Sequence, residues 1–185
     1  MRSLHPDVEE ILYDEEKIAE IVRNIGRQIS EDYKGKNLLL VSVLKGSLMF
    51  MADLMREITV PCAIDFLSVS SYGSDTTTTG EVRILKDLDA SLEGKDVLVV
   101  EDILDSGVTL SYLLKNLSAR NPASIRLCTF LDKPERRRVD ITADYIGASV
   151  PDKFIIGYGL DYAEFYRNLP YVGVLKPCVY TQEKE

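Results

Sequence analysis

The chain has 185 residues, 45% of them hydrophobic and 28% charged, a composition that suits one globular domain with its own core. Its net charge of −8 excludes the broad basic footprint of a nucleic-acid binder, though not a local cationic pocket for an anionic substrate. Three scattered cysteines without metal-ligand spacing, a polar and acidic N-terminus, and no apolar run of about 18 residues predict a soluble, cytoplasmic protein with reduced thiols.

Residues 1–10 read as a polar lead-in that carries the single histidine, His5, beside Pro6. From Asp14 to Tyr33 the pattern predicts an amphipathic helix, because Ile18, Ile21, Val22, Ile25 and Ile29 recur at helical spacing among polar residues. Gly35-Lys36-Asn37 breaks it, and Leu38 to Leu44 is a near-continuous apolar run, the mark of a buried strand. That strand ends in Lys45-Gly46-Ser47 before a helix over Leu48 to Ile58. A lysine in such a turn reads equally well as a solvent side chain or as a basic contact. Cys62 to Ser70 is the next strand, with Ile64, Phe66 and Val69 expected to pack inward. Ser71 to Gly80 is polar and glycine-flanked without helical period, either a plain hairpin connection or a lid over a reacting centre. Glu81 to Leu85 forms the returning strand, and Lys86 to Gly94 a charged loop.

The most informative stretch follows. Val97 to Val100 is apolar and runs into Glu101 and Asp102, then Asp105-Ser106-Gly107-Val108-Thr109, where a new helical pattern starts. The reading is a buried parallel strand ending at Val100, a loop at its carboxyl end, and a helix beginning near Thr109. Open α/β sheets bind ligands at such loops. Backbone N–H groups of Ser106 to Thr109 at a helix start have no partners within the helix and suit a phosphate. Gly107 lets the backbone approach closely. Glu101 and Asp102 only accept when ionised, so they fit sugar hydroxyls or a metal ion rather than the phosphate. Asp105 would face whatever is attached to the sugar. Together these make a ribose-5-phosphate cradle.

Asn121-Pro122 stops the helix, and Ser124 to Leu131 is another strand, whose carboxyl end delivers Asp132-Lys133-Pro134 to the same crevice. Glu135 to Arg138 is a charge cluster in which an arginine can brace the site. Tyr145 to Ser149 is a short strand. Phe154, in Pro151-Asp152-Lys153-Phe154-Ile155, reads on its own as core. Asp161 to Arg167 follows, Val172 to Leu175 is a last strand, and Lys176 to Glu185 a polar tail.

Val99-Val100-Glu101-Asp102-Ile103-Leu104-Asp105-Ser106-Gly107-Val108-Thr109-Leu110 resembles the phosphoribosyl-diphosphate (PRPP) motif of type I phosphoribosyltransferases. Leu44-Lys45-Gly46, Ser70-Ser71-Tyr72-Gly73, Lys133 and the run from Pro151-Asp152-Lys153-Phe154 to Arg167 extend the resemblance, from about Val8 to Val174, to the hypoxanthine-guanine branch. Ser106 stands where threonine is frequent, and Val108 where some relatives carry lysine; neither removes a phosphate-binding N–H.

The resemblance implies an α/β fold, a parallel-sheet core over about residues 35–150 flanked by helices. A small hood would come from 1–34 and 151–185, all in a single domain. It implies transfer of 5-phosphoribose from PRPP to N9 of a 6-oxopurine, hypoxanthine or guanine, giving IMP or GMP and pyrophosphate. In that scheme Glu101, Asp102, Asp105, Ser106, Gly107, Val108 and Thr109 hold ribose and 5′-phosphate. Lys45, Gly46 and Arg167 take pyrophosphate, and the peptide before Lys45 can be cis. Ser71 and Tyr72 belong to the lid. Lys133 reads the purine O6, Phe154 stacks on the ring, and backbone near Ile155 bonds its edge. Asp105 is the catalytic residue, assisting proton removal near N7. Glu101, Asp102 and Asp161 are the implied Mg²⁺ ligands, and a homodimer or homotetramer the implied assembly, with neither nucleic acid nor membrane as partner. Two rivals remain at this level: a PRPP-sensing RNA binder on the same fold, which needs a basic face, and a phospho-receiver domain, which needs its acids on early strands.

Overall fold

Apolar runs such as Leu38–Leu44 and Val97–Val100 need cover on both faces, and the fold supplies it. The computed structural model describes residues 4–71 and 82–181. The chain runs β1 (Val8–Tyr13), α1 (Glu15–Asp32), β2 (Leu38–Leu44), α2 (Leu48–Glu57), β3 (Cys62–Ser71), β4 (Val82–Lys86) and β5 (Asp96–Leu104). It continues through α3 (Val108–Ser118), β6 (Ser124–Asp132), β7 (Tyr145–Ser149), β8 (Ile155–Ile156), β9 (Val172–Leu175) and the short turn of helix α4 (Pro177–Tyr180). The main sheet has the order β4-β3-β2-β5-β6-β7, parallel except for β4 at one edge.

Alternation along the strands sorts the core into two layers. Leu38, Leu40, Leu98, Val100, Cys128 and Phe130 face α1 and α2, meeting Ile21, Ile25 and Ile29 of one helix and Phe50, Met51 and Leu54 of the other. Leu39, Val41, Val97, Val99 and Leu127 point the opposite way, onto Leu110, Leu113 and Leu117 of α3. Asp14 caps α1 by accepting from Lys17 N at 2.8 Å. Phe130 is 1% exposed, with its ring centroid 5.2 Å from that of Phe50 and 5.0 Å from that of Tyr158. Phe130→Ala should therefore cost about 3–5 kcal/mol in chemical denaturation; a loss below about 1 kcal/mol would mean that the α1–α2 layer collapses into the space.

Four expectations are corrected. The lead-in contains a strand: β1 pairs antiparallel with β9 (Val8 with Leu175, Tyr13 with Val172), and β8 pairs with the other side of β9. This three-stranded sheet joins the two ends of the chain into the hood. Helix α1, which the resemblance groups with the hood, packs instead on the main sheet, because its isoleucine stripe belongs to the large core. In β3 the expectation holds for Val69, which packs partly, and fails for Ile64, which is 42% exposed, while Phe66 is half-buried and the intervening Asp65 and Leu67 are buried. Buried Asp65 is satisfied by N–H groups of Asp89 (2.9 Å) and Ala90 (3.1 Å), which ties down the charged loop after β4. Last, β5 does not stop at Val100. It stays paired with β6 as far as Leu104 opposite Asp132, so Glu101 and Asp102 lie on a strand rather than in a loop. Among the described residues no helix is long and apolar enough to cross a membrane.

Candidate active site

The carboxyl ends of β5 and β6 meet the N-terminus of α3 and the hood. Past Leu104 the chain turns through Asp105 and Ser106 to Gly107, whose φ of 78° makes it the left-handed entry to α3. A side chain there is excluded twice, since a Cβ would also lie 2.4 Å from Ile141 Cγ2. Ser106 Oγ accepts a long bond, 3.4 Å, from Val108 N. Glu101, Asp102, Asp105, Ser106, Gly107 and Thr109 line a concavity of about 150 Å³, with Val108 as the first residue of α3. The sequence-derived cradle is thus assembled in one place.

The cradle is held from behind by the segment after β6. Lys133 N donates to Leu104 O at 3.0 Å, and Arg138 N to Ser106 O at 3.0 Å. Arg137 Nη1 donates to the carbonyls of Leu104 (3.0 Å) and Asp105, while its Nη2 pairs with Asp132. Sequence reasoning anticipated a bracing arginine in this cluster but gave it no position. One guanidinium nitrogen thus serves two adjacent carbonyls while the other holds a carboxylate.

An open cleft of about 630 Å³ adjoins the cradle and shares Ile103 and Asp105 with it. Lys133, Phe154, Ile155, Leu160, Asp161 and Tyr180 also line it. Lys133 is only 4% exposed, which rules out the ordinary surface lysine. Its Nζ donates to Lys153 O at 2.9 Å. Burial lowers its pKa, and the charge of the Asp105 carboxylate opposes that shift. Phe154 is 37% exposed and therefore not core. Tyr162 meets its ring edge-on at 5.3 Å and Tyr180 stacks on it at 5.2 Å. Tyr180 was lost in the presumed polar tail; the only trace in sequence is an aromatic ring among the last polar residues. Asp105 pairs weakly with Arg136 (Nε to Oδ1, 3.9 Å), and that Oδ1 is buried without a hydrogen bond among the described residues.

The third component is the Lys45-Gly46 loop between β2 and α2. The Leu44–Lys45 peptide is cis. Gly46 lies directly against the cradle: a Cβ on it would stand 1.7 Å from Asp102 Oδ2. From the other side, a Cβ on Gly159 would stand 2.0 Å from Gly46 O. Arg167 Nη1 donates to Gly159 O at 2.9 Å, and its Nη2 pairs with Asp161 at 3.0 Å. Lys45, Gly46, Asp102, Gly159, Asp161 and Arg167 are therefore linked through these contacts. Ser71 ends β3, while Tyr72 and the rest of the expected lid through Gly80 lie outside the described residues.

Glu101 is buried and the adjacent Asp102 half-buried, and the two carboxylates act on each other. Burial, and then the Asp102 charge, push the Glu101 carboxyl well above the usual range; Asp102 is raised by burial too. This field favours a cation, and oxygen donors suit Mg²⁺, which keeps water and substrate oxygens in its shell. The donor set fits, with one qualification of the sequence reading. Among the described residues no three acidic, histidine or cysteine groups converge on one point, and Asp161 is engaged by Arg167 and by Glu164 N at 2.9 Å. A Glu101 pKa raised in the fold means that stability is full below the unfolded value of about 4.3 and is lost as pH rises towards the folded value. Glu101→Gln should accordingly stabilise the apoprotein at pH 7 by on the order of 1 kcal/mol, with a rise in Tm of about 2–4 °C. The gain should vanish near pH 4; thermal melts across pH check it.

The family model for the phosphoribosyl transferase domain matches residues 8–163, the class that the parallel sheet and its strand-end cradle define. The hypoxanthine-guanine phosphoribosyltransferase of Bacillus subtilis is 53% identical over 174 residues, 94% of this chain and 97% of that protein. A crystal structure of a hypoxanthine phosphoribosyltransferase from Staphylococcus aureus superposes with a TM-score of 0.94 at 52% identity, covering 97% of this chain and 98% of that one. The bifunctional TilS/HprT protein of Listeria monocytogenes is 52% identical over 180 residues, and this chain spans 28% of its length. The chain belongs to the hypoxanthine-guanine phosphoribosyltransferase family.

Proposed function

We propose that this chain transfers 5-phosphoribose from PRPP to N9 of hypoxanthine or guanine, forming IMP or GMP and releasing pyrophosphate, a purine-salvage reaction. The observation that carries the reading is the joining of the cradle to a cleft that is lined by the buried Lys133 and that shares Asp105 with it.

The Ser106–Thr109 N–H groups take the 5′-phosphate. Asp102 and Glu101 hold the ribose hydroxyls and set a negative field beside the sugar, which becomes cationic as the anomeric bond breaks. Lys45, the Gly46 backbone and Arg167 receive pyrophosphate oxygens. Glu101, Asp102 and Asp161 would hold Mg²⁺, directly or through water, and the ion would supply charge stabilisation for the leaving group. Lys133 donates to the purine O6. Adenine has a donor there, so the same amine selects against it. Phe154 stacks on the base, backbone at Ile155 bonds its edge, and Asp105 takes up proton density near N7.

The test is nucleotide formation from PRPP and Mg²⁺ with hypoxanthine, guanine, xanthine and adenine offered separately. Turnover of hypoxanthine or guanine but not adenine is expected. Turnover of adenine alone would overturn the Lys133 assignment; PRPP binding without turnover of any base would overturn the enzymatic reading. Function as a homodimer or homotetramer in the cytoplasm, with no nucleic-acid or membrane partner, completes the proposal, and sedimentation of the purified protein tests the assembly.

A further inference from the structure

Lys45 and Arg167, the two cations given above to pyrophosphate, share one protein anion. Glu164 Oε2 lies 2.8 Å from Lys45 Nζ and 3.5 Å from Arg167 Nη2. The carboxylate is aimed there by its backbone. Ala163, Glu164 and Tyr166 have φ values of 50°, 70° and 73°, and Tyr162 and Phe165 close the turn with reciprocal bonds of 3.2 and 3.0 Å. Asp161 Oδ2 accepts from Glu164 N at 2.9 Å, fixing the turn to the residue whose Oδ1 pairs with the same Nη2 of Arg167 at 3.0 Å. Left-handed φ in non-glycine residues is uncommon and points to a function when it clusters at a site. Both partners are open to solvent, with side-chain exposures of 65% for Lys45 and 64% for Glu164. An ion pair of that kind is weak and exchanges readily for a stronger, multiply charged acceptor.

The geometry points to Glu164 as an internal stand-in for pyrophosphate. It holds Lys45 and Arg167 together in the free enzyme, yields them to the diphosphate of PRPP on binding, and reclaims them as pyrophosphate departs. The inference rests on the pyrophosphate subsite proposed above and adds to it a residue that touches neither sugar nor base. Glu164 then sets the affinity of that subsite by competition: its charge weakens the hold on both PRPP and product and so speeds release.

The experiment is titration calorimetry of the full chain with pyrophosphate in the presence of Mg²⁺, together with KM values for PRPP and for hypoxanthine. Glu164→Gln removes the charge and keeps the shape; Glu164→Asn is a second variant whose residue tolerates left-handed φ. In both, pyrophosphate Kd and the KM for PRPP should fall about two- to fivefold, the effect of losing one exposed ion pair. The KM for hypoxanthine should stay within about twofold. A Glu164→Asp variant, with charge retained, should fall between. Unchanged or weakened pyrophosphate binding in the neutral variants would overturn the inference. Failure of the subsite reading itself looks different: Arg167→Gln would then bind pyrophosphate as tightly as the parent chain.

Discussion

Asparagine in place of Asp105 should give a folded, PRPP-binding protein whose turnover is lower by about 10²–10⁴-fold, the range lost when a general acid–base group is removed. The substitution separates the side chain from the scaffold around it. The Asp105 carbonyl, not its carboxylate, accepts from Arg137, and Ser106 O accepts from Arg138 N at 3.0 Å, so the loop keeps its anchors. Asn has nearly the same volume and keeps one acceptor, so neither a cavity nor a clash arises. What is lost is the ability to hold a proton at Asp105, the carboxylate that lines both the cradle and the adjoining cleft. PRPP affinity, measured by titration, should change little, because the phosphate contacts proposed above are backbone N–H groups rather than this side chain. Stopped-flow nucleotide formation should carry the loss in kcat. Turnover equal to that of the parent would remove Asp105 from proton transfer and leave it as a ribose contact.

The site was legible where chemistry and chain order coincide. Glu101 to Thr109 is contiguous, so strand, cradle and helix could be read from one stretch, and β2, β7 and β9 fall on the residues expected for them. The misplaced end of β5 has a simple cause. Two carboxylates end the apolar run, and the hydrophobic pattern cannot see that β6 continues to pair with Ile103 and Leu104. The same blindness hid β1, whose partner β9 lies some 160 residues away and whose solvent-facing glutamates look like a leader. In β3 the burial of Asp65 and Leu67 rather than Ile64 was not readable, because buried Asp65 takes its partners from the loop after β4. Tyr180 and Glu164 escaped for a related reason. Each acts through a ring or charge from another segment, Phe154 in one case and Lys45 in the other. Composition around them carries no sign of those partners.

Gly46 shows how far a single hydrogen can matter in such a site, and Gly46→Ala should lower kcat/KM for PRPP by on the order of 10²-fold. The added Cβ would meet Asp102 Oδ2 at 1.7 Å and Asp102 Cγ at 2.7 Å, well inside any real contact. Asp102 cannot swing aside cheaply. It is half-buried on β5 beside the buried Glu101, and its Oδ1 already accepts from Ile103 N at 2.8 Å. Nor can the loop back away, because Gly46 O is pressed on the other side by Gly159, and the next residue is anchored: Ser47 Oγ bonds to Ser42 Oγ at 2.7 Å and to Val43 O. The clash must therefore resolve by shifting either the Asp102 carboxylate or the Lys45-Gly46 loop by a sizeable fraction of an ångström. A displacement of about 1 Å in a reacting arrangement costs about that rate factor. The cost in stability should be smaller, about 1–3 kcal/mol for overpacking at the edge of the core. The KM for hypoxanthine, whose cleft does not include Gly46, should move far less than that for PRPP. Equal loss in both would mean that the substitution has disturbed the sheet rather than the contact between Gly46 and Asp102.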